Sequence, residues 1–233
     1  MSTGAVVEMV GAGPGDPDLV TLRAEAAIAA AAVVVTDAAV AHIARTFGPE
    51  ARIVVSAGGG TDHATVARAA TVDGDTIAVL LGAARRGMPV VRLYRGDPWL
   101  HPAYAVESAM LAAFGVEIVA VPGPAVELAL PTAAGLAIHD RARSMTVTVA
   151  RPDALPPATD PARTLVTLTD DAAGLAAGMS AEGGRPDLAV VAAFGGEVSV
   201  HRGTPAEIAA APAVGPGVAV VGAVARPSPD AEG

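Results

Sequence analysis

A chain of 233 residues with a formal net charge of −9 and a pI near 4.9 has length for one large domain or two small ones, and no Lys- or Arg-rich run suited to nucleic-acid phosphates. It has no cysteine, which excludes disulfides, thiolate metal sites and a cysteine nucleophile and fits a reducing, cytoplasmic setting. Mean hydropathy is +0.49, yet Arg, Asp, Pro or Gly interrupts every apolar stretch short of spanning length and the N-terminus lacks signal-peptide regions, so no membrane partner is expected.

AVVEMVG (5–11) reads as a short strand ended by glycines, and DLVTLRAEAAIAAAA (18–32) as an alanine-rich helix. VVVTD (33–37) and RIVVS (52–56) are further buried strands, the second followed by a glycine-rich stretch. DTIAVLLGAARRG (75–87) has a helical pattern with Asp75 as cap and Gly87 as stop, leading into strand PVVRLY (89–94). The order repeats as helix AYAVESAMLAAFG (103–115), strand VEIVAV (116–121) and a helix after Pro122-Gly123-Pro124. Alternation of this kind predicts an α/β fold with a largely parallel sheet. Beyond it, 144–150, 164–169, 187–194, 197–203 and 217–224 are strand-like, with a helix near 171–182. The change of texture places a boundary at about Pro122, between an N-terminal α/β domain (1–122) and a C-terminal one (123–224), with 225–233 as a disordered tail.

Two loops carry the same Gly-Asp-Pro tripeptide, at 15–17 and at 96–98. The first, Gly11-Ala12-Gly13-Pro14-Gly15, follows a strand, and Asp37 ends the next strand where a ribose-binding acid of a dinucleotide fold belongs. Against that reading, position 16 holds Asp where the third glycine is needed, and Pro14 and Pro17 remove backbone donors from a pyrophosphate. A glycine-rich turn without a ligand is the plain alternative. The second loop lies beyond the C-terminal end of a central strand, where open α/β sheets bind ligands. There Asp97 can accept from a cationic or hydroxylated ligand, although Gly-Asp-Pro alone is a common turn.

The segments VGAGPGDPDLVTLRAEAAIAAAAVVVTD, PVVRLYRGDPWL and GVEIVAVPGPAVELALPTAAGLAIHDR stand in the order and spacing of the tetrapyrrole (corrin/porphyrin) methylases. The chain resembles that family, and in particular its uroporphyrinogen-III C-methyltransferases, through SMTVTVA, TLVTLT, VHRGTPAEI and GVAVVGAV as well. The resemblance implies a two-domain α/β fold with S-adenosyl-L-methionine in the cleft between domains, and a homodimer. It places Pro14, Arg95, Gly96, Asp97, Leu100, Ala125, Val126, Thr169 and Gly195 around the cofactor, and Asp37 at the proton-acceptor position. An Asp37 that caps the next helix is the structural alternative. The implied activity is C-methylation of a tetrapyrrole, most simply uroporphyrinogen III on the way to sirohaem or cobalamin. A corrin precursor, an unrelated specialised metabolite or a non-catalytic ligand-binding role are the alternatives.

On the substrate side the pattern departs from the family. A Gly-Lys-Arg stretch is replaced by 57–63, without lysine anywhere in the chain, and an arginine suited to a substrate carboxylate is replaced by Ala103. Glu107 is retained. Arg92, Arg95, Arg141 and Arg143 are the candidates for gripping carboxylates, with Arg141 the best positional match and solvated surface arginine the plain alternative for each. His101 and Tyr104 adjoin the second loop as substrate-binding candidates, against an exposed loop histidine as the plain reading of His101. The five histidines are scattered with no metal-ligand spacing, so no metal site is expected.

Overall fold

A computed structural model describes residues 4–56, 74–151, 155–156, 160, 162–169, 171–181, 188–194, 197–210 and 217–225. The chain divides into two compact units, Met1–Val126 and Glu127–Gly233. In the first, β1 (Val6–Gly11), α1 (Leu22–Ala30), β2 (Val33–Thr36), α2 (Ala41–Phe47), β3 (Arg52–Val55), α3 (Gly74–Arg85), β4 (Val90–Tyr94), α4 (Tyr104–Ala113) and β5 (Glu117–Val121) alternate. Their strands form one sheet in the order β3-β2-β4-β1-β5, parallel throughout. Such a sheet is covered on both faces, which is why β2 and β4 are buried at every position.

Strand alternation divides the core. Val34, Val91, Leu93 and Val121 pack with Ile28 of α1 and Ile43 of α2. On the other face Val33, Val35, Val90 and Tyr94 pack with Leu80 of α3 and Tyr104 and Leu111 of α4. The period of two therefore puts Arg92, between Val90 and Tyr94, on the α3/α4 face. The α/β expectation holds, with local corrections. The helix expected over 18–32 is a 3-10 turn, Pro17–Leu19, and then α1, because Asp16 caps the turn and Thr21 Oγ1 accepts from Ala24 N at 3.2 Å to start a new helix. Asp75 lies in the first turn of α3 rather than before it.

The second unit holds α5 (Val126–Ala133, its first residue shared with the division), β6 (Thr146–Val149), β7 (Arg163–Thr169), α6 (Ala172–Ala181), β8 (Leu188–Phe194), β9 (Glu197–Gly203), α7 (Pro205–Ala210) and β10 (Gly217–Val221). Its sheet runs β6-β7-β10-β8-β9, with β6 and β7 parallel and the other pairs antiparallel. Leu165, Ala172, Ala176, Met179, Ile208, Ala219 and Val221 form a core there. The last strand stops at Val221, short of the expected 224, because a 3-10 turn occupies Ala223–Ala225. Within the proposed tail, 226–233 lies outside the described residues. Among the described residues no helix is long and apolar enough to cross a membrane.

Candidate active site

In the parallel sheet the chain leaves β1 toward β2 on one side and leaves β4 toward β5 on the other. The C-terminal ends of these adjacent strands thus flank a topological switch point, where open α/β sheets bind ligands. Both Gly-Asp-Pro loops start there, and backbone bonds tie them together. Ala12 N donates to Tyr94 O at 2.8 Å, Gly96 N to Gly13 O at 2.8 Å, and Gly13 N to Gly96 O at 3.3 Å. The loop after β5 joins them: a Cβ on Gly11 would lie 2.5 Å from Gly96 O and 2.7 Å from Gly123 N, so only glycine permits this approach.

The repeated tripeptide is a repeated local device. In each copy the aspartate caps a 3-10 turn whose first residue is the proline: Asp16 Oδ1 accepts from Asp18 N at 3.0 Å and Asp97 Oδ1 from Trp99 N at 2.9 Å. Gly96, with φ 76°, supplies the left-handed residue that aims the chain into the second turn. Asp97 goes further, because its Oδ2 accepts from Gly123 N at 3.1 Å and clasps the β4 and β5 loops. Its carboxylate is thus engaged within the frame rather than held out to a ligand.

Beneath the second loop lies a buried charged cluster. Arg92, 1% exposed, forks onto Glu107 of α4 (Nε to Oε2 at 2.8 Å, Nη2 to Oε1 at 3.2 Å) and reaches Asp37 Oδ1 from Nη1 at 2.9 Å. Its guanidinium lies 4.3 Å over the Tyr94 ring, and the Tyr94 hydroxyl donates to Glu107 Oε2 at 2.6 Å. Asp37 Oδ2 receives His101 Nε2 at 3.1 Å and Arg95 N at 3.3 Å. Ala103 N donates to His101 Nδ1 at 3.3 Å, so the neutral imidazole carries its proton on Nε2 and points it at Asp37. Burial pushes the Asp37 carboxyl up, but the Arg92 charge and then His101 outweigh it and hold the group well below the usual carboxylate range. Burial also raises the Tyr94 hydroxyl well above its ordinary value, which keeps it a donor.

Several expectations change here. Asp37 occupies the cap position of the 3-10 turn Ala38–Val40, yet its side chain makes no cap bond, because both oxygens face the cluster. Arg92 is neither a solvated arginine nor open to a substrate carboxylate; it is locked between two acids. His101 is not an exposed loop histidine, its side chain being 12% exposed. The first unit brings Pro14, Asp37, Arg95, Gly96, Asp97, Leu100 and His101 to the loops after β1, β2 and β4, Tyr104 to the start of α4, Ala125 to the loop after β5 and Val126 to the start of α5. Thr169, at the end of β7, and Arg141, exposed before β6, belong to the second unit. Arg143 pairs with Asp140 at 2.7 Å. Gly195 and the stretch 57–63 lie outside the described residues. Among the described residues no group of three or more His, Cys, Asp or Glu could hold a metal ion.

The pairing of Arg92 with Glu107 is what sequence reasoning missed. Its signals were an arginine inside the otherwise apolar run VVRLY and a glutamate in register with Tyr104 and Leu111 on the buried face of α4.

The parallel sheet with its tied switch-point loops and the separate mixed sheet define a two-unit α/β protein. The chain belongs to the Tetrapyrrole (Corrin/Porphyrin) Methylases, whose family model matches residues 6–209. It is 32% identical over 142 residues to the S-adenosyl-L-methionine-dependent uroporphyrinogen III methyltransferase of Methanosarcina barkeri, covering 61% of this chain and 54% of that one. It is 37% identical over 147 residues to the uroporphyrinogen-III C-methyltransferase of Pseudomonas aeruginosa, covering 61% and 56%. The matched segment thus spans little more than half the length of these curated relatives. The solved uroporphyrin-III C-methyl transferase of Thermus thermophilus, complexed with S-adenyl homocysteine, superposes with a TM-score of 0.73 at 25% identity over 94% of this chain and 98% of that one.

Proposed function

We propose that the chain is an S-adenosyl-L-methionine-dependent C-methyltransferase acting on a tetrapyrrole, most simply uroporphyrinogen III in sirohaem or cobalamin biosynthesis. The observation that carries the reading is the site itself: family loops tied at the switch point above a buried cluster with two carboxylates, Asp37 and Glu107, against the single guanidinium of Arg92. That cluster sets two carboxylates against one guanidinium, and in a poorly solvated site such a set favours a cationic ligand. The donor set therefore fits a sulfonium. Pro14, Arg95, Gly96, the Asp97 backbone, Leu100, Ala125 and Val126 would hold the cofactor at the strand ends of the first unit. Backbone and small side chains dominate that set, which suits close approach.

When bound, S-adenosyl-L-methionine supplies an electrophilic methyl group. The protein's own work is to align an electron-rich pyrrole carbon with it, to exclude water and to accept the proton the methylated ring releases. Asp37 alone is held too acidic to keep that proton. Asp37 would therefore hand the proton on to water rather than store it, with His101 Nε2 and Arg95 N orienting its carboxylate. Arg92 and Glu107 act as positioning residues by fixing Asp37. Tyr104, packed under Trp99, would support the substrate side of the loop from below. A homodimer belongs to the same reading, supported by the exposed apolar stripe of Val106 and Met110 on α4 and Phe114 just beyond its end. So does a cytoplasmic setting, supported by the cysteine-free composition.

Calorimetry with S-adenosylhomocysteine, then incubation with enzymatically made uroporphyrinogen III and S-adenosylmethionine followed by mass spectrometry, tests the reading. Saturable binding and a methylated tetrapyrrole are expected. No binding at millimolar ligand sinks the cofactor assignment, and binding without turnover of any tetrapyrrole sinks the enzyme assignment.

A further inference from the structure

The strand order β3-β2-β4-β1-β5 places β4 between β1 and β2, so the connections that leave β1 and β2 are not neighbours in the sheet. Each is tied to the β4 loop. Gly13 and Gly96 exchange backbone bonds between the β1 and β4 loops, and Arg95 N donates to Asp37 Oδ2 between the β4 loop and the end of β2. Sheet pairing cannot join the β1 and β2 connections directly, and a side chain does it instead. His42, in the first turn of α2, brings Nε2 to 2.6 Å from Gly15 O. A carbonyl only accepts, so Nε2 carries the proton and donates it. The three connections thereby form a closed ring of ties around the end of β4.

The two ends of the His42 tie differ in stiffness. His42 stands between Ala41 and Ile43, both buried, and Ile43 packs into the core beside β2 and β4. Asp37, on the same connection, is held by Arg92 and His101. That side is fixed. The segment Gly13-Pro14-Gly15 is the pliant side: Gly13 and Gly15 stand at φ 69° and 117°, conformations open to glycine, and Pro14 has no N–H with which to anchor itself. Ordering such a segment costs backbone entropy, which is charged against ligand affinity unless the free protein has already ordered it. The bond from His42 orders it in the free protein.

We propose that His42 is a positioning residue for the cofactor loop: its bond to Gly15 O presets Pro14 and Gly15 against the connection that carries Asp37, and so raises affinity for the cofactor. The proposal rests on the methyl-transfer reading for the ligand's being S-adenosyl-L-methionine; the preset loop itself does not.

His42 is exposed, so replacing it opens no cavity in the core. His42→Ala removes bond and ring, His42→Phe keeps a ring without the donor, and His42→Gln keeps a donor of similar reach. Calorimetry with S-adenosylhomocysteine on wild type and the three variants gives dissociation constants, and steady-state methyl transfer gives KM for S-adenosylmethionine and kcat. Amide hydrogen exchange at Gly15 and Asp16 reports the loop with no ligand present. His42→Ala and His42→Phe are expected to bind S-adenosylhomocysteine about fivefold more weakly, the scale of one hydrogen bond. They should also raise KM for S-adenosylmethionine more than they lower kcat, and exchange the two amides severalfold faster. His42→Gln stays within about twofold of wild type in each measurement. Wild-type affinity in His42→Phe, or a His42→Gln as weak as His42→Ala, overturns the proposal, since each separates binding from the hydrogen bond. Absence of S-adenosylhomocysteine binding by the wild type overturns the methyl-transfer reading instead, and the exchange rates of the loop then decide the tie.

Discussion

Arg92 is the residue on which the site depends. It sits inside a strand buried on both faces, and the fork onto Glu107, the bonds to Asp37 and Leu93 O and the face of Tyr94 make that burial tolerable. Removing it strands two carboxylates in the core. Arg92→Leu is therefore expected to cost about 3–5 kcal/mol in urea unfolding, the range for a buried pair that loses one partner; a loss under about 1 kcal/mol would mean the cluster is well solvated. Asp37 gives a second expectation with a definite sign. Its folded-state carboxyl titrates below the unfolded value of roughly 3.9, so its contribution is complete above that pH and disappears as pH falls toward the depressed folded value. The stability difference between wild type and Asp37→Asn should shrink as pH falls below about pH 4 and the wild-type carboxylate takes up a proton. A difference that instead grows on acidification contradicts the assignment of Asp37 as an ionised, Arg92-held group.

At the scale of elements the two Gly-Asp-Pro turns form a natural pair of experiments. Asp16 and Asp97 both cap a 3-10 turn, but only Asp97 also accepts from the backbone of a third loop. Asp16→Ala should cost about 1 kcal/mol, a lost cap. Asp97→Ala should cost about 1–2 kcal/mol more, since Gly123 N loses its acceptor in a part-buried place; equal costs in circular-dichroism-monitored unfolding would remove the clasp from the argument. Much at this scale was legible in the sequence. Apolar runs such as VVVTD and PVVRLY, punctuated by Gly and Pro, are strong strand signals, and the alternation with alanine-rich helices announces a parallel sheet. What escaped was local or long-range. The short helix α7 was overlooked although Thr204-Pro205-Ala206-Glu207 is a capping box, with Glu207 Oε2 accepting from Thr204 N at 2.7 Å and Thr204 Oγ1 from Glu207 N at 3.3 Å. The site was legible only as separate residues. Asp37, Arg92, His101 and Glu107 come from a strand end, a strand centre, a loop and a helix, and no spacing along the chain encodes their meeting.

At the scale of the whole molecule, a net charge of −9 sets the terms on which an acidic acceptor approaches. A polyanion is repelled by the summed field unless local cations outweigh it. Few arginines near the proposed acceptor loop are available for that. Arg92 is buried between acids, and half-buried Arg95, at the start of the loop through Trp99, is the one cation that loop carries. Repulsion should therefore dominate the encounter with an eight-carboxylate ring, and salt should relieve it. Raising ionic strength from about 10 mM to about 150 mM shortens the Debye length from roughly 30 Å to roughly 8 Å. Over that range KM for uroporphyrinogen III is expected to fall severalfold with kcat nearly constant, because screening acts on approach rather than on the buried cluster, where salt does not reach. A tetrapyrrole with few carboxylates should show little change over the same range. If KM for the eight-carboxylate substrate rises with salt, attraction by local arginines prevails over the field of the chain, and the acceptor is gripped by its carboxylates.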